Sequence, residues 1–269
     1  MRRPAIEANN VTDLLKKLDG LRDPTKPVIF RGQADSVWRL EPSIDRNVKP
    51  RTDYGKRLEI ERSIVERFRK EADHLLGQSE LEYLKERRPG DLISPQTVLQ
   101  HFGAPTRLLD WTRSPFVAAF FAAIDLPHKN GAVWWYGEQA LHEAVRQHRV
   151  KHRIPDPAGP EFSHEKALYS KKSPRFIMPV YLSISFQRAE AQQGLFTLAS
   201  RLGELHDELF EELLTGDDFG RIEFPSSVKP DLLMALKARN ITAPSLHHVG
   251  ADRLGFQLAA DFARRCERP

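Results

Sequence analysis

Cysteine is almost missing from this chain of 269 residues, since Cys266, near the carboxyl end, is the only one. A disulfide framework and a cysteine-based zinc site both need several thiols, so one cysteine excludes both within this chain. The composition therefore predicts a protein of a reducing compartment.

Long apolar runs are also missing. The longest, residues 116–124, covers about half of the ~20 residues that a helix needs to cross a bilayer. Residues 1–7 carry positive charge with no apolar stretch behind them, which is not the pattern of a secretory signal. We therefore expect a cytoplasmic protein with no membrane partner.

Neither sign of charge dominates, because 41 Lys and Arg stand against 37 Asp and Glu and are interleaved along the chain. This balance permits contact with nucleic acid or an anionic ligand but does not favour it. The sequence contains no glycine-rich phosphate loop, no nucleophile elbow and no zinc-ligand spacing. Kinase, triad-hydrolase and metalloprotease functions are thus excluded, and no metal is expected.

Hydrophobic periodicity predicts an irregular mixture of helices and strands. Residues 116–124 are apolar on every side of a helix, which Ser114 caps and Pro115 begins. Further helices are predicted at residues 55–76, 95–101, 204–214, 229–239 and 251–264, and strands at residues 28–30, 131–136, 180–185, 194–198 and 221–224. Because no regular βαβ order emerges, we predict an α+β fold with a mixed, mainly antiparallel sheet flanked by helices.

Three blocks of residues resemble the FRG-domain family, which is named for the tripeptide Phe-Arg-Gly. They are residues 30–33 with 38–43, residues 100–115, and Arg188 with residues 191–196. The resemblance implies one FRG-type domain over residues 1–269, with residues 1–26 as an amino-terminal extension. Residues 151–173, rich in proline and without a period, are predicted to form a surface loop or insertion. Near the carboxyl end, His247 and His248 stand where the family has an acidic turn.

The same order of parts also resembles the ADP-ribosyltransferase superfamily, which implies an ADP-ribosyltransferase-like fold with NAD as substrate. By this resemblance Arg31 binds the dinucleotide, Thr112 and Ser114 support it, and Gln193 or Glu223 polarises the ribose. It further implies a toxin or phage-defence effector that cleaves NAD or transfers its ADP-ribose to a protein or nucleic-acid acceptor.

The residues themselves give Arg31 two interpretations. A guanidinium forks onto phosphate oxygens, Gly32 lets a ligand approach the backbone, and Gln33 adds a second polar group. Alternatively, Arg31 forms a structural ion pair with Asp110 or Glu41.

Asp110 stands beside Trp111 and just before the apolar helix, so we expect it to be shielded from water and paired, with Arg107 the nearest cation. Such an acid has two functional interpretations, orienting a ribose hydroxyl or acting as a base. The structural alternative is an ion pair with an arginine that fixes the loop to the core. His101 is a general base or a helix cap, and Trp111 stacks on a base or packs in the core.

Together these residues predict a cleft between the Arg31 turn, a loop at residues 106–114 and the strand that follows Gln193. The predicted catalytic residues are Arg31, Asp110, Gln193 and His101. The predicted dinucleotide-binding residues are Arg31, Gly32, Gln33, Arg107, Trp111, Thr112 and Ser114. Two alternatives remain open: a non-catalytic module that binds a nucleotide or nucleic acid, and a nuclease.

Overall fold

The structure, a computed structural model, describes residues 4–46, 52–85, 91–157, 159, 161–170, 172, 174–181 and 190–247. This part of the chain contains eleven α-helices and seven strands in one sheet, which confirms the predicted α+β class.

The strands are β1 (Ile6–Glu7), β2 (Val28–Gln33), β3 (Leu108–Thr112), β4 (Gly131–Gly137), β5 (Ile177–Val180), β6 (Gly194–Ala199) and β7 (Phe219–Phe224). The helices are α1 (Val11–Gly20), α2 (Ser43–Arg46), α3 (Tyr54–Leu75), α4 (Gln78–Lys85), α5 (Ser94–His101), α6 (Pro115–Ala123), α7 (Glu138–His152), α8 (His164–Leu168), α9 (His206–Leu213), α10 (Lys229–Lys237) and α11 (Ala243–His247). Two short 3₁₀ turns flank β7, at Gly216–Asp218 and Ser226–Val228.

The strand order is β1-β7-β4-β2-β3-β6-β5, and every neighbouring pair is antiparallel except β1 with β7. The sheet is therefore mixed and mainly antiparallel, as the sequence predicts. Helices cover both faces. On one face α1, α6 and α10 contribute to a core with Phe30, whereas α7 and α9 pack on the opposite face with Ile29 and Trp111.

The centre of the sheet is divided. β2 pairs with β4 along its whole length, and β3 pairs with β6 along its whole length. Between β2 and β3, both fully described, the pairing is limited to Phe30 opposite Thr112. We call the space between the two strands beyond this pair, from Arg31 to Gln33, the fork.

Helix α6 begins and lies as its sequence predicts. The Ser114 side chain accepts a hydrogen bond from the Val117 N–H, and Pro115 is the first helical residue. The helix crosses β2 so closely that a Cβ on Gly32 would lie 1.9 Å from the carbonyl oxygen of Ala118. Helix packing by itself therefore requires the glycine of the Phe-Arg-Gly tripeptide.

The prediction of a loop at residues 106–114 is wrong. Its centre is strand β3, whose residues other than Asp110 are buried against β6 and the cores on either side. Five residues with one exposed acid are too short to show a strand period, and the strand forms because its partner supplies the main-chain hydrogen bonds.

Two other predicted elements lie partly or wholly outside the described residues. The strand predicted at residues 180–185 overlaps the observed strand β5 (Ile177–Val180) only at Val180, and residues 182–185 are outside the described part. The predicted helix at residues 251–264 and the side chains of His247 and His248 are outside it as well. Within residues 151–173, the structure places the short helix α8, with Ala167 and Leu168 buried. Among the helices of the described residues, none combines the length and apolarity that a membrane crossing requires.

Candidate ligand-binding cleft

A cleft of about 370 Å³ opens at the fork. Its walls include Arg31, Gln33, Trp38, Arg46, Gln100, Asp110, Trp111, Thr112, Asp125 and Gln192. Two guanidinium groups and two carboxylates therefore line one hollow, whose size is within the range of small-molecule sites.

Arg31 and Asp110 face each other across the fork. The Nη1 of Arg31 donates a hydrogen bond of 2.6 Å to the backbone carbonyl of Asp110, and it lies 3.8 Å from the Asp110 carboxylate. The Asp110 carbonyl therefore accepts a hydrogen bond from a side chain of β2 instead of from the β2 backbone. The ion pair with Asp110 that the sequence left open is present, and Arg31 still borders the cleft.

The Arg31 side chain is largely buried, with 14% of its surface exposed, whereas Asp110 is 58% exposed. Burial lowers the pKa of Arg31 to about 10; the Asp110 carboxylate opposes this shift and the Arg46 guanidinium adds to it. The buried Nε of Arg31 has no hydrogen-bond partner among the described residues. Arg31 therefore retains an unused donor, and an added anion would stabilise its charged form.

The Asp110 carboxylate is held in place from the side of α5. Gln100 donates from Nε2 to Asp110 Oδ2 at 2.8 Å, and the Oε1 of the same Gln100 side chain accepts from the Thr106 hydroxyl at 2.5 Å. The expectation that Asp110 is shielded from water and paired with Arg107 is wrong, because Asp110 is mostly exposed and its cationic neighbour is Arg31.

The backbone of the cleft wall at Asp125 is held by a buried lysine. Lys229 Nζ donates to the carbonyls of Ala34, Asp125 and Leu126 at 2.8 to 2.9 Å. Burial lowers the pKa of Lys229, while Asp35 and Asp125 oppose the shift. The residue ties the loop after β2 to the end of α6.

A chain of hydrogen bonds runs behind the cleft wall from Trp111. The Trp111 Nε1–H donates to the Thr197 hydroxyl at 2.8 Å, and this hydroxyl lies 2.9 Å from Nδ1 of His206. His206 is fully buried, and burial, with a smaller effect of Arg31, lowers its pKa to about 3.

Among the predicted dinucleotide-binding residues, the cleft is lined by Arg31, Gly32, Gln33, Trp111 and Thr112. Both ends of the Gln33 amide are already engaged, since it donates to the Arg39 carbonyl and accepts from Trp134 Nε1. The Trp111 ring lies edge-on to Tyr136 and Phe210 in the core. The Thr112 hydroxyl donates to the Gln192 carbonyl, and Ser114 caps α6.

Arg107, His101 and Gln193 are placed elsewhere. Arg107 is buried in an ion pair with Glu61 and does not border the cleft. His101, at the end of α5, packs its ring edge-on to Phe102. Gln193 is exposed, with a φ of 49°.

Five of the wall residues named above were not among the predicted site residues: Trp38, Arg46, Gln100, Asp125 and Gln192. Gln192 donates from Nε2 to the Leu246 carbonyl at 3.0 Å. The signal for four of them was present, since Trp38, Gln100 and Gln192 lie within the three FRG blocks and Arg46 follows the first block. Within the described residues, no group of three or more His, Cys, Asp or Glu side chains is placed to hold a metal ion.

Comparison with known proteins gives one match. Residues 26–131 match the family model described as the FRG domain. The matched segment contains β2, β3 and α6, and so most of the cleft, while Gln192 and Gln193 lie beyond it. No curated protein and no solved structure matches the chain, and no finding supports the resemblance to ADP-ribosyltransferases.

Proposed function

We propose that the cleft of this FRG domain binds NAD and cleaves the bond between nicotinamide and ribose. The observation that carries the proposal is the pairing, in one hollow, of a largely buried guanidinium with a mostly exposed carboxylate, Arg31 and Asp110.

Diphosphate binding is assigned to Arg31 and Arg46. Arg31 borders the cleft, and Arg46 adds a second positive charge at the same cleft. Guanidinium groups form strong, directional hydrogen bonds with phosphate oxygens. An anion between them would also relieve the repulsion that Arg46 exerts on Arg31.

The chemical step is assigned to Asp110. When the C–N glycosidic bond breaks, its electron pair leaves with nicotinamide and positive charge develops on the ribose. A carboxylate beside the ribose stabilises this oxocarbenium-like state. The oxygen of water or of an acceptor then bonds to the ribose carbon and gives up its proton, which Asp110 is placed to accept. Gln100 keeps the carboxylate oriented.

The ADP-ribosyltransferase resemblance assigns polarisation of the ribose to Gln193 or Glu223, but neither of them lines the cleft. Gln193 is exposed, and Glu223 forms an ion pair with Arg221 on β7. Gln192 borders the cleft instead. We therefore assign no role in bond cleavage to Gln193, Glu223 or His101.

The test is incubation of the whole chain with NAD, with and without protein and nucleic-acid acceptors, and quantification of free nicotinamide by chromatography. We expect release in the wild type and its loss in Arg31→Ala, with Arg31→Lys retaining part of the binding. NAD binding without release under any condition would identify a non-catalytic nucleotide module, and absence of NAD binding would overturn the proposal.

A further inference from the structure

Both side-chain contacts of the Asp110 carboxylate fall on the same oxygen. Gln100 Nε2 donates to Oδ2 at 2.8 Å, and Arg31 Nη1 lies 3.8 Å from Oδ2. Within the described part of the chain, the other oxygen, Oδ1, accepts no hydrogen bond. The carboxylate therefore has one engaged oxygen and one that is available to a ligand.

The orientation of the Gln100 amide is fixed at its other end by Thr106. The Thr106 hydroxyl donates to Gln100 Oε1 at 2.5 Å. A carboxylate and an amide carbonyl can only accept hydrogen bonds, so the NH₂ end of the amide must face Asp110 and the carbonyl end must face the hydroxyl. A flipped amide would bring two acceptors together at Asp110 Oδ2, with no proton between them.

Thr106 is itself held firmly in the fold. It is only 1% exposed, and its side-chain oxygen accepts from the Leu108 N–H at 3.2 Å. Its backbone carbonyl accepts from the Ile44 N–H on α2 at 3.1 Å. A buried and fully bonded hydroxyl thus supports Gln100, and Gln100 supports the carboxylate at the cleft, which keeps the geometry of the site fixed before a ligand binds.

From this arrangement we infer that Thr106 is a positioning residue for Asp110. Acting through Gln100, it keeps Oδ2 engaged and leaves Oδ1 as the oxygen that stabilises the ribose and accepts the proton. The inference rests on the proposed function and deepens it, because it assigns the reaction to one oxygen of the carboxylate. The structural alternative is that Thr106 only ties α5 to β3.

The test uses substitutions that change single hydrogen-bonding groups. Thr106→Val removes the hydroxyl and preserves the shape of the side chain, Thr106→Ser keeps the hydroxyl, and Gln100→Leu removes the amide and leaves Thr106 in place. The matched control is Thr97→Val on α5. Thr97 is also 1% exposed, and its hydroxyl donates to the Ser94 carbonyl at 2.8 Å, away from the cleft wall.

Kinetics and calorimetry are expected to separate the chemical step from binding. The loss of one hydrogen bond is worth about tenfold. Thr106→Val and Gln100→Leu should each lower the kcat of nicotinamide release about tenfold, while the Kd for ADP-ribose stays within about twofold of the wild type, because the diphosphate is assigned to the arginines. Thr106→Ser should restore most of the kcat, and Thr97→Val should leave it unchanged.

The double variant tests whether Thr106 acts through Gln100. If it does, adding Thr106→Val to Gln100→Leu should lower kcat no further. Two independent effects would instead multiply, to a loss of about a hundredfold.

A measurement that needs no activity uses the side-chain amide protons of Gln100. Their nuclear magnetic resonance signals are identified by their loss in Gln100→Leu. The signals should shift in Thr106→Val and in Asp110→Asn, and they should stay in place in Thr97→Val.

The outcomes distinguish the two proposals. If the wild type is active, Thr106→Val as fast as Thr97→Val, Thr106→Ser as slow as Thr106→Val, or a multiplied loss in the double variant would overturn the role of Thr106 alone. Gln100 signals that do not shift in Thr106→Val would also overturn it. A wild type that releases no nicotinamide would overturn the proposed function and the role of Thr106 in it.

Discussion

The guanidinium of Arg107 and the carboxylate of Glu61 meet in the protein interior, with 1% and 2% of their side-chain surfaces exposed. Arg107 donates from Nε to Glu61 at 2.6 Å and from Nη1 to the Ser200 carbonyl at 2.9 Å. Burial acts to lower the pKa of Arg107, but the carboxylate outweighs it and the pKa is raised. The pair joins α3 to the residue that precedes β3, so it supports one wall of the fork.

Removal of one partner from this pair should be strongly destabilising. We expect Glu61→Ala to lower the free energy of unfolding by about 3 to 5 kcal/mol, because it leaves a buried charge without a counterion. Urea denaturation followed by circular dichroism measures the change. Glu165→Gln is the control, since the Arg62–Glu165 pair is exposed and should contribute less than about 1 kcal/mol. Equal effects of the two substitutions would contradict this account.

Asp110→Asn should separate activity from stability. Because the Asp110 carboxylate is mostly exposed and asparagine keeps the shape of the side chain, Asp110→Asn should lower the free energy of unfolding by less than Glu61→Ala does. If Asp110 stabilises the developing charge, nicotinamide release should fall by about 10²- to 10³-fold, comparable with the loss of one electrostatic group from an active site. Nicotinamide release at the wild-type rate in the folded variant would remove Asp110 from the mechanism.

Gly32→Ala tests the close approach of α6 to β2. The added Cβ would meet the Ala118 carbonyl oxygen at 1.9 Å and the Ala122 nitrogen at 2.7 Å, so backbone must move. Overpacking of this kind costs about 1 to 3 kcal/mol or more, which thermal denaturation would detect as a lower Tm. Gly20→Ala is the control, because no atom within 4 Å meets its Cβ and alanine favours the helical conformation. A Gly32→Ala variant as stable as Gly20→Ala would show that helix packing does not require this glycine.

His206 should make stability dependent on pH. Its pKa is about 3 in the folded protein, below the value of about 6.5 expected in the unfolded chain. Below about pH 6.5 the unfolded chain binds a proton that the folded protein does not, so stability falls as pH decreases, by at most about 1.4 kcal/mol per pH unit.

The measurement for His206 is urea denaturation at several pH values between 5 and 7.5, for the wild type and for His206→Gln. The advantage of the wild type should shrink as the pH falls, because the variant lacks this titrating group. Parallel pH profiles for the two proteins would contradict the assignment of the pH dependence to His206.

Local features of the fold could be predicted from the sequence, and α6 is the clearest case. Ser114 and Pro115 specify its beginning, and its uniform apolarity specifies burial on every side. Strand β3 could not be predicted in the same way, because its regularity depends on β6, more than eighty residues later.

In the candidate site, too, some features could be predicted from the sequence and others depend on the tertiary structure. The tripeptide containing Arg31 is recognisable in sequence, whereas the partner of a charged residue is a matter of tertiary structure. Asp110 is close to Arg107 in sequence, but the fold pairs Arg107 with Glu61 and leaves Asp110 beside Arg31. Trp38 was visible in the first FRG block, yet only its exposure distinguishes it from the buried tryptophans.

The single residue pair between β2 and β3 has a mechanical consequence. Of all neighbouring strands in the sheet, these two share the fewest paired positions, so relative motion of the two halves is opposed there mainly by side chains and by α6. A ligand that contacts Arg31 on β2 and Asp110 on β3 would restrain the relative motion of the two halves of the sheet. Ligand binding would then slow amide hydrogen exchange along both strands, including at residues that the ligand does not contact.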